Sequence, residues 1–138
     1  MRNVRHNVTQ FANETWEVVE EYPDELVLHS AAVLYFDGGF FYFGGNNGNK
    51  DIARVARLDS ETYTWNKLDM LSTARKRHNV IEVSGIFLII GGDATSLKTE
   101  RCVYDNLTMN CTEQDPTLDN YGNFPELFKA SSDYCPAV

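Results

Sequence analysis

Short apolar runs separated by polar turns recur along the chain, a pattern that predicts β-strands rather than helices. Two units each contain four such runs, at 30–35, 40–43, 52–58 and 63–68 and at 78–83, 86–90, 99–104 and 109–112. The dipeptides Asp37-Gly38 and Ser84-Gly85 are hairpin signals between the first two runs of each unit. The pattern therefore predicts an all-β fold with four antiparallel strands per unit.

The second run of the first unit, at 40–43, consists of four consecutive aromatic residues. A strand with one face in water alternates apolar and polar side chains. An uninterrupted apolar run predicts burial on both faces of the sheet. Left without cover, such faces would lead the chain to associate or aggregate.

Three landmarks recur in both units and indicate an internal repeat. They are a tryptophan, a histidine and a diglycine: Trp16 and Trp65, His29 and His78, and Gly44-Gly45 and Gly91-Gly92. The tryptophans and the histidines are each 49 residues apart, and the diglycines are 47 apart. Four strands cannot cover both faces of their own sheet, whereas units stacked around an axis can. The repeat therefore predicts a β-propeller.

Residues that match a known repeat family are most numerous in the second unit. They are Trp65, Met70, Arg75, His78, Gly85, Gly91, Gly92, Tyr104 and Asp105, and in the first unit Trp16, His29, Gly44, Gly45 and Asp59. In this pattern the chain resembles kelch-repeat β-propellers, including the extracellular attractin-like kind, whose repeats run about 50 residues. The first unit departs at Leu26 and Leu58, where the family has Arg and Tyr.

The resemblance divides the chain into four parts. These are the end of a preceding blade at 1–20, one kelch blade at 21–69, a second at 70–112, and an irregular tail at 113–138. Propellers close with about four to eight blades, so a partial propeller of this size cannot close alone. We therefore expect the remaining blades to come from a longer parent chain or from self-association.

Charge and hydropathy exclude several classes of partner. The chain has 138 residues and a net charge of −8, which argues against nucleic acid and against anionic lipid. Its longest apolar run, at 86–90, is far shorter than the roughly 20 residues that cross a bilayer. Metal, cofactor and nucleotide motifs are lacking, so we expect no catalytic residues, metal or cofactor.

The cysteines and sequons indicate an oxidising compartment. A turn centred at 106–107 places Cys102 opposite Cys111, within disulfide reach, and leaves Cys135 for a partner elsewhere. Four N-glycosylation sequons are present, at Asn7, Asn13, Asn106 and Asn110. Asn106 lies at a predicted turn tip, whereas Asn110 lies within a strand and is the poorest candidate. We expect an extracellular or cell-surface location, with reduced cysteines in the cytoplasm as the alternative.

The resemblance implies a non-enzymatic module that binds a protein or glycan through loops between its strands. The expected contact loops are those whose sequences differ between the two units: 46–51 in the first unit compared with 93–98 in the second, and 20–26 compared with 71–76. One alternative is an intracellular kelch adaptor that recruits substrates to a ubiquitin ligase through an additional domain. A third reading, a copper enzyme like galactose oxidase, lacks a matching set of Tyr and His positions.

Overall fold

The computed structural model describes residues 7–12, 15–21, 29–93 and 98–114, and within these ranges the chain is all-β. Ten strands occur there: β1 (Asn7–Ala12), β2 (Thr15–Glu21), β3 (Ala32–Phe36), β4 (Gly39–Phe43), β5 (Val55–Asp59), β6 (Trp65–Leu68), β7 (His78–Val83), β8 (Ile86–Gly91), β9 (Glu100–Asp105) and β10 (Thr108–Glu113). In this part of the chain no helix has the length and apolarity needed to cross a membrane.

The strands form one hairpin and two four-stranded antiparallel sheets. Strands β3–β6 make sheet 1 and strands β7–β10 make sheet 2, each with its strands paired in chain order. Strands β1 and β2 pair with each other and place Phe11 opposite Trp16. Sheet 1 similarly places Leu58 opposite Trp65. The predicted pair of four-stranded units is confirmed.

Strand β5 begins three residues later than the sequence predicts, because the backbone before it bonds to other segments. Ile52 donates from its amide to the Gly45 carbonyl and accepts from the Arg75 amide. The Ala53 carbonyl accepts from the Leu71 amide at 2.8 Å. These groups are therefore unavailable to the ladder of sheet 1, and regular pairing starts at Val55.

The hydrophobic core lies between the two sheets, and three phenylalanines stand at its centre among aliphatic and sulfur-containing side chains. Phe41 and Phe43 of β4 are fully buried and meet Phe87 of β8, with ring centroids 5.1 and 5.5 Å apart. Tyr104 of β9 packs edge-on against Phe41 at 4.9 Å. Side chains two positions apart on a strand share a face, so one face of each sheet builds this core.

The prediction that the aromatic run is buried on both faces is wrong for Phe40. Phe40 is 39% exposed, and its described ring contact is Tyr35, directly across the ladder. Tyr42, on the same face, packs on Trp65 at 5.2 Å and is half-buried. Burial along the run therefore alternates: Phe41 and Phe43 face sheet 2 and are fully buried, whereas Phe40 and Tyr42, on the other face, are more exposed.

The two sheets repeat with an offset of 47 residues in their first two strands. Ala32 lies opposite Phe43, and Asn79 lies opposite Ile90, so these pairs correspond. At this offset His78 corresponds to Ala31 rather than to His29. The equivalence of the two histidines, inferred from a 49-residue spacing, is therefore corrected: His29 lies before β3 and bridges to Asn46.

Candidate interaction surface

Three connections emerge at the same end of the two sheets because the strands alternate in direction. They are the β4–β5 loop, the β8–β9 loop and the β6–β7 connection that joins sheet 1 to sheet 2. Together they form the loop face, which in the described chain comprises residues 44–54, 69–77, 92–93 and 98–99. The tight turns, including the one at Asn106-Leu107, lie at the opposite end.

The diglycines allow the β6–β7 connection to approach both sheets closely. Gly44 has φ +58°, and a Cβ built there would lie 2.5 Å from the Arg75 carbonyl oxygen. Gly92 has φ +114°, and its Cβ would lie 2.8 Å from the Lys76 carbonyl oxygen. Gly45 donates from its amide to the Arg75 carbonyl at 2.8 Å. Positive φ and the close approach of a neighbouring backbone both favour glycine at these positions.

A buried ion pair holds the same connection against sheet 2. Arg75 Nη2 donates to Glu100 Oε1 at 2.7 Å, and both side chains are fully buried. The Glu100 carboxylate also accepts from the backbone amides of Ser72 and Thr73, at 2.6 and 3.1 Å. Arg75 Nη1 donates to the Gly91 carbonyl at 3.3 Å. A charge this deep requires such a set of partners.

Glu100 was not identified from the sequence, although Arg75 was. The sequence nevertheless contains a clue to Glu100. This residue begins a strand in which the other residues on the same face, Cys102 and Tyr104, are a cysteine and an aromatic residue. A carboxylate on an inward position needs a cation, and Arg75 precedes the same sheet. This pairing could have been proposed from the strand pattern.

His78 is buried at the start of β7, beside Gly44, and a Cβ added to that glycine would lie 2.8 Å from the imidazole ring. Burial, reinforced by the positive charge of Arg75, lowers the pKa of His78 from 6.5 to about 4. The imidazole is therefore neutral at pH 7 and serves packing. His29 is exposed, with its Nδ1 3.2 Å from Ser30 Oγ.

Ion pairs and side-chain hydrogen bonds join the loops across this surface. Lys76 Nζ lies 3.2 Å from Asp51 Oδ1 and 3.9 Å from Asp93 Oδ2. Arg77 Nη1 donates to Asp93 Oδ2 at 2.9 Å. A hydrogen bond from Asn46 Nδ2, with help from Lys76, lowers the pKa of the Asp51 carboxyl. The predicted contact loops 46–51 and 71–76 therefore meet, together with the first residue of 93–98.

The loop face carries a depression of about 330 Å³ beside β5. The residues that line it include Asn47, Lys50, Asp51, Arg54 and Met70. Met70 is 66% exposed, which makes it the most exposed large apolar side chain among the residues described. An adaptable thioether among hydrogen-bonding groups suits contact with a polar partner surface.

The predicted disulfide is present. Cys102 and Cys111 lie directly opposite each other on β9 and β10, with Cα atoms 4.0 Å apart, and are joined through sulfur. They occupy the place that Leu58 and Trp65 occupy in sheet 1, so a cross-link replaces an apolar pair. Within the described ranges, Glu100 and these cysteines are the one cluster with metal-ligand spacing. The disulfide and Arg75 already engage its ligand atoms.

The predicted glycosylation sites are spread over different parts of the fold. Asn106 is exposed at the β9–β10 turn with φ +45°, and Asn110 is exposed within β10. Asn7 is the first residue of β1. The motif residue Trp16 lies in the neighbouring strand β2. Asn13 and Cys135, the tail beyond 114, and loop residues 22–28 and 94–97 lie outside the described residues.

Comparison of the chain with protein-family models and with curated proteins finds no match. The resemblance to kelch repeats accordingly rests on the residues of the chain itself.

Proposed function

We propose that this chain is a non-enzymatic module of a kelch-type β-propeller in a secreted or cell-surface protein, and that its loop face binds a protein or glycan partner. The motif positions shared with kelch repeats fit this proposal. Gly91 and Gly92 have positive φ, and Arg75 and His78 are buried where the chain crosses between sheets. All four serve the stacking of one sheet on the next.

The observation that carries the proposal is the meeting of the loops on a rigid support. The buried Arg75–Glu100 pair fastens the β6–β7 connection to sheet 2, and Lys76 links it to Asp51. Loops held in place lose little conformational entropy when they bind, which favours recognition. Met70 and the neighbouring polar groups project from this support into solvent.

The same contacts favour binding over catalysis. The two fully or nearly buried groups whose pKa values are lowered are committed to the fold: Arg75 to Glu100, and His78 to its place against Gly44. A catalytic acid or base must instead reach a substrate and titrate near the working pH. Copper uptake together with oxidase activity would support the alternative of a galactose-oxidase-like enzyme.

A binding screen against a glycan array and a panel of receptor ectodomains tests the proposal. A true partner should bind the wild type and lose at least about tenfold in affinity with Met70→Asp or Lys50→Glu, since each change disrupts the loop face. Leu107→Asp is the matched control, because Leu107 is also an exposed apolar residue but lies on the turn at the opposite end. Partners that ignore the loop variants, or a screen without partners, would contradict the proposal.

The location is tested separately, by mass measurement on protein from its native source. Loss of mass on removal of N-glycans, and a non-reduced peptide that joins Cys102 to Cys111, are expected for a secreted protein. The disulfide supports this location. A fully reduced, unglycosylated chain would favour the intracellular adaptor instead.

A further inference from the structure

Two predicted glycosylation sites share the β9–β10 hairpin with the disulfide. One sequon comprises residues 106–108 and the other comprises residues 110–112. Cys111 is therefore the middle residue of the second sequon, and its sulfur is bonded to Cys102 on β9. Formation of the disulfide and attachment of a glycan at Asn110 consequently involve the same three residues of β10.

All three residues of the second sequon are paired with β9. Cys111 lies opposite Cys102 with Cα atoms 4.0 Å apart, the spacing of a pair without mutual backbone hydrogen bonds. Such pairs alternate with hydrogen-bonded pairs, so Asn110 and Thr112 exchange backbone hydrogen bonds with their partners on β9. Both ends of this sequon are thus held to β9 by their backbones, and its middle residue is held by a covalent bond.

The first sequon is held less tightly. Asn106 and Leu107 form the two-residue turn, with φ +45° and +65°, and both are exposed. Only Thr108 of this sequon pairs in the ladder, opposite Asp105. Neither turn residue is adjacent to a cysteine in the sequence. One hairpin therefore contains a sequon that the disulfide constrains directly and a second sequon that serves as an internal comparison.

The side chain of Asn110 and the disulfide lie on opposite faces of sheet 2, because successive side chains of a strand alternate between the faces. Asn110 is exposed, whereas Cys102 is fully buried. A depression of about 340 Å³ adjoins Asn110, and Thr108 and Thr112 also line it. The folded hairpin therefore has room for carbohydrate at Asn110, and a glycan attached there does not obstruct the disulfide.

The enzyme that transfers the glycan must bind the sequon as a separate segment of chain, and sequons are accordingly used in surface loops. In the transfer, the side-chain amide nitrogen bonds to the anomeric carbon of an oligosaccharide. The bond from that carbon to a lipid pyrophosphate breaks, and the amide loses a proton. A strand whose backbone is already paired has to open first. A disulfide makes this opening rarer, because it restricts the separated state of the two strands.

We propose that closure of the Cys102–Cys111 disulfide ends the modification of Asn110, so that this sequon carries a glycan only in chains that receive it before the disulfide forms. Closure converts two thiols to a disulfide and passes two electrons and two protons to a protein disulfide of the secretory compartment, which is reduced. The dependence runs one way, because a glycan attached first leaves the cysteines able to pair. Modification of Asn106 is independent of the disulfide. The inference rests on the secreted location within the proposed function.

The test is expression of the full chain behind a secretory signal peptide, followed by mass spectrometry of the peptides that contain the two sequons. Cys102→Ala is the informative variant, because it removes the disulfide and leaves residues 110–112 unchanged. The ratio of modified to unmodified Asn110 should rise at least about fivefold in this variant, since the hairpin then opens more often. The same ratio at Asn106 should stay within about twofold of the wild type, because the turn lies outside the ladder.

A second variant distinguishes the disulfide from a general loss of stability. Gly44→Ala introduces a clash with the Arg75 carbonyl in the other sheet and keeps both cysteines of the hairpin. Its occupancy at Asn110 should match that of the wild type, with the disulfide verified by non-reducing peptide mapping. A permeant reductant added to wild-type cells during synthesis should raise the occupancy at Asn110 as Cys102→Ala does. Wild-type peptides that carry the glycan at Asn110 should still contain the disulfide.

Three results would overturn the inference. The first is an equal occupancy of Asn110 in the wild type and in Cys102→Ala, which includes the absence of a glycan from both. The second is an equal rise in Cys102→Ala and Gly44→Ala, which would assign the effect to stability. The third is a glycan at Asn110 found only with unpaired cysteines. The added signal peptide makes this test independent of the native location and of binding at the loop face, so either proposal can fail while the other stands.

Discussion

Arg75 and Glu100 lie 25 residues apart in the chain, yet their side chains meet at 2.7 Å with neither exposed to solvent. The pair connects the segment between the sheets to the first residue of β9. Burial lowers the pKa of Arg75, and the Glu100 carboxylate acts in the opposite direction. The guanidinium cannot shed its proton inside a protein, so the carboxylate is required to balance it.

Removal of the carboxylate should cost more stability than removal of the guanidinium. Glu100→Gln leaves a buried cation unbalanced and weakens acceptance from the Ser72 and Thr73 amides, which should lower the free energy of unfolding by about 3–5 kcal/mol. Arg75→Met leaves the hydrogen bonds from these two amides to the carboxylate in place, so it should lower the free energy of unfolding by less. Urea titration measures both. Lys98→Ala, which removes a partly exposed pair with Glu113, should cost no more than about 1 kcal/mol. Equal losses for Glu100→Gln and Lys98→Ala would contradict this account.

Alanine substitutions at Gly44 and Gly48 distinguish the effect of steric contact from the effect of backbone strain. Both have positive φ, and an added Cβ at Gly48 would meet no atom within 4 Å. Gly48→Ala should therefore cost about 1–2 kcal/mol from conformation alone. Gly44→Ala adds overlap with the Arg75 carbonyl and the His78 ring, so it should cost clearly more and should alter the β6–β7 connection. Equal thermal stabilities of the two variants would show that the close approach is absent in solution.

The buried imidazole of His78 predicts a loss of stability at acidic pH. Its pKa is lowered to about 4 in the folded chain, below the 6.5 of an unperturbed histidine. Between these values the unfolded chain binds a proton that the folded chain does not, so stability falls as pH falls. The loss should approach about 3 kcal/mol from pH 7 to pH 4 and should level off below the folded pKa.

Denaturant titrations across that pH range, compared between wild type and His78→Gln, measure this contribution. The His78→Gln variant lacks the titrating ring, so its free energy of unfolding should depend less steeply on pH. The His29→Gln variant keeps His78 and should show the same pH dependence as the wild type. The same slope in wild type and His78→Gln would mean that the imidazole is protonated in the folded chain.

The Cys102–Cys111 disulfide should stabilise the β9–β10 hairpin against unfolding. The two residues are 9 apart in sequence, a short loop for which the loss of unfolded-state entropy contributes about 2–3 kcal/mol. The Cys102→Ala/Cys111→Ala double variant should lower the midpoint of urea unfolding, and addition of a reductant should affect the wild type but not the variant. An unchanged midpoint on reduction would mean that strand pairing alone holds the hairpin.

Local patterns along the chain were sufficient to predict most strands and their partners. Strand β7 was predicted with its observed bounds, and the partnership of Cys102 with Cys111 followed from the position of one turn. Such predictions succeed because hairpin register depends on residues close in sequence, namely the turn and the two strands beside it.

Contacts between segments distant in the sequence were decided only by the tertiary structure. The aromatic run reads as uniformly buried, but the packing of sheet 2 on one side buries Phe41 and Phe43 and leaves Phe40 exposed. The inward position of Glu100 on its strand indicates that the carboxylate needs a cation, but only the connection between the sheets brings Arg75 to it. The sequence by itself determined most strands, the register of the β9–β10 hairpin and the repeat. Which face of each sheet is covered, and which loops meet, depends on how the sheets stack, and no local pattern carries that information.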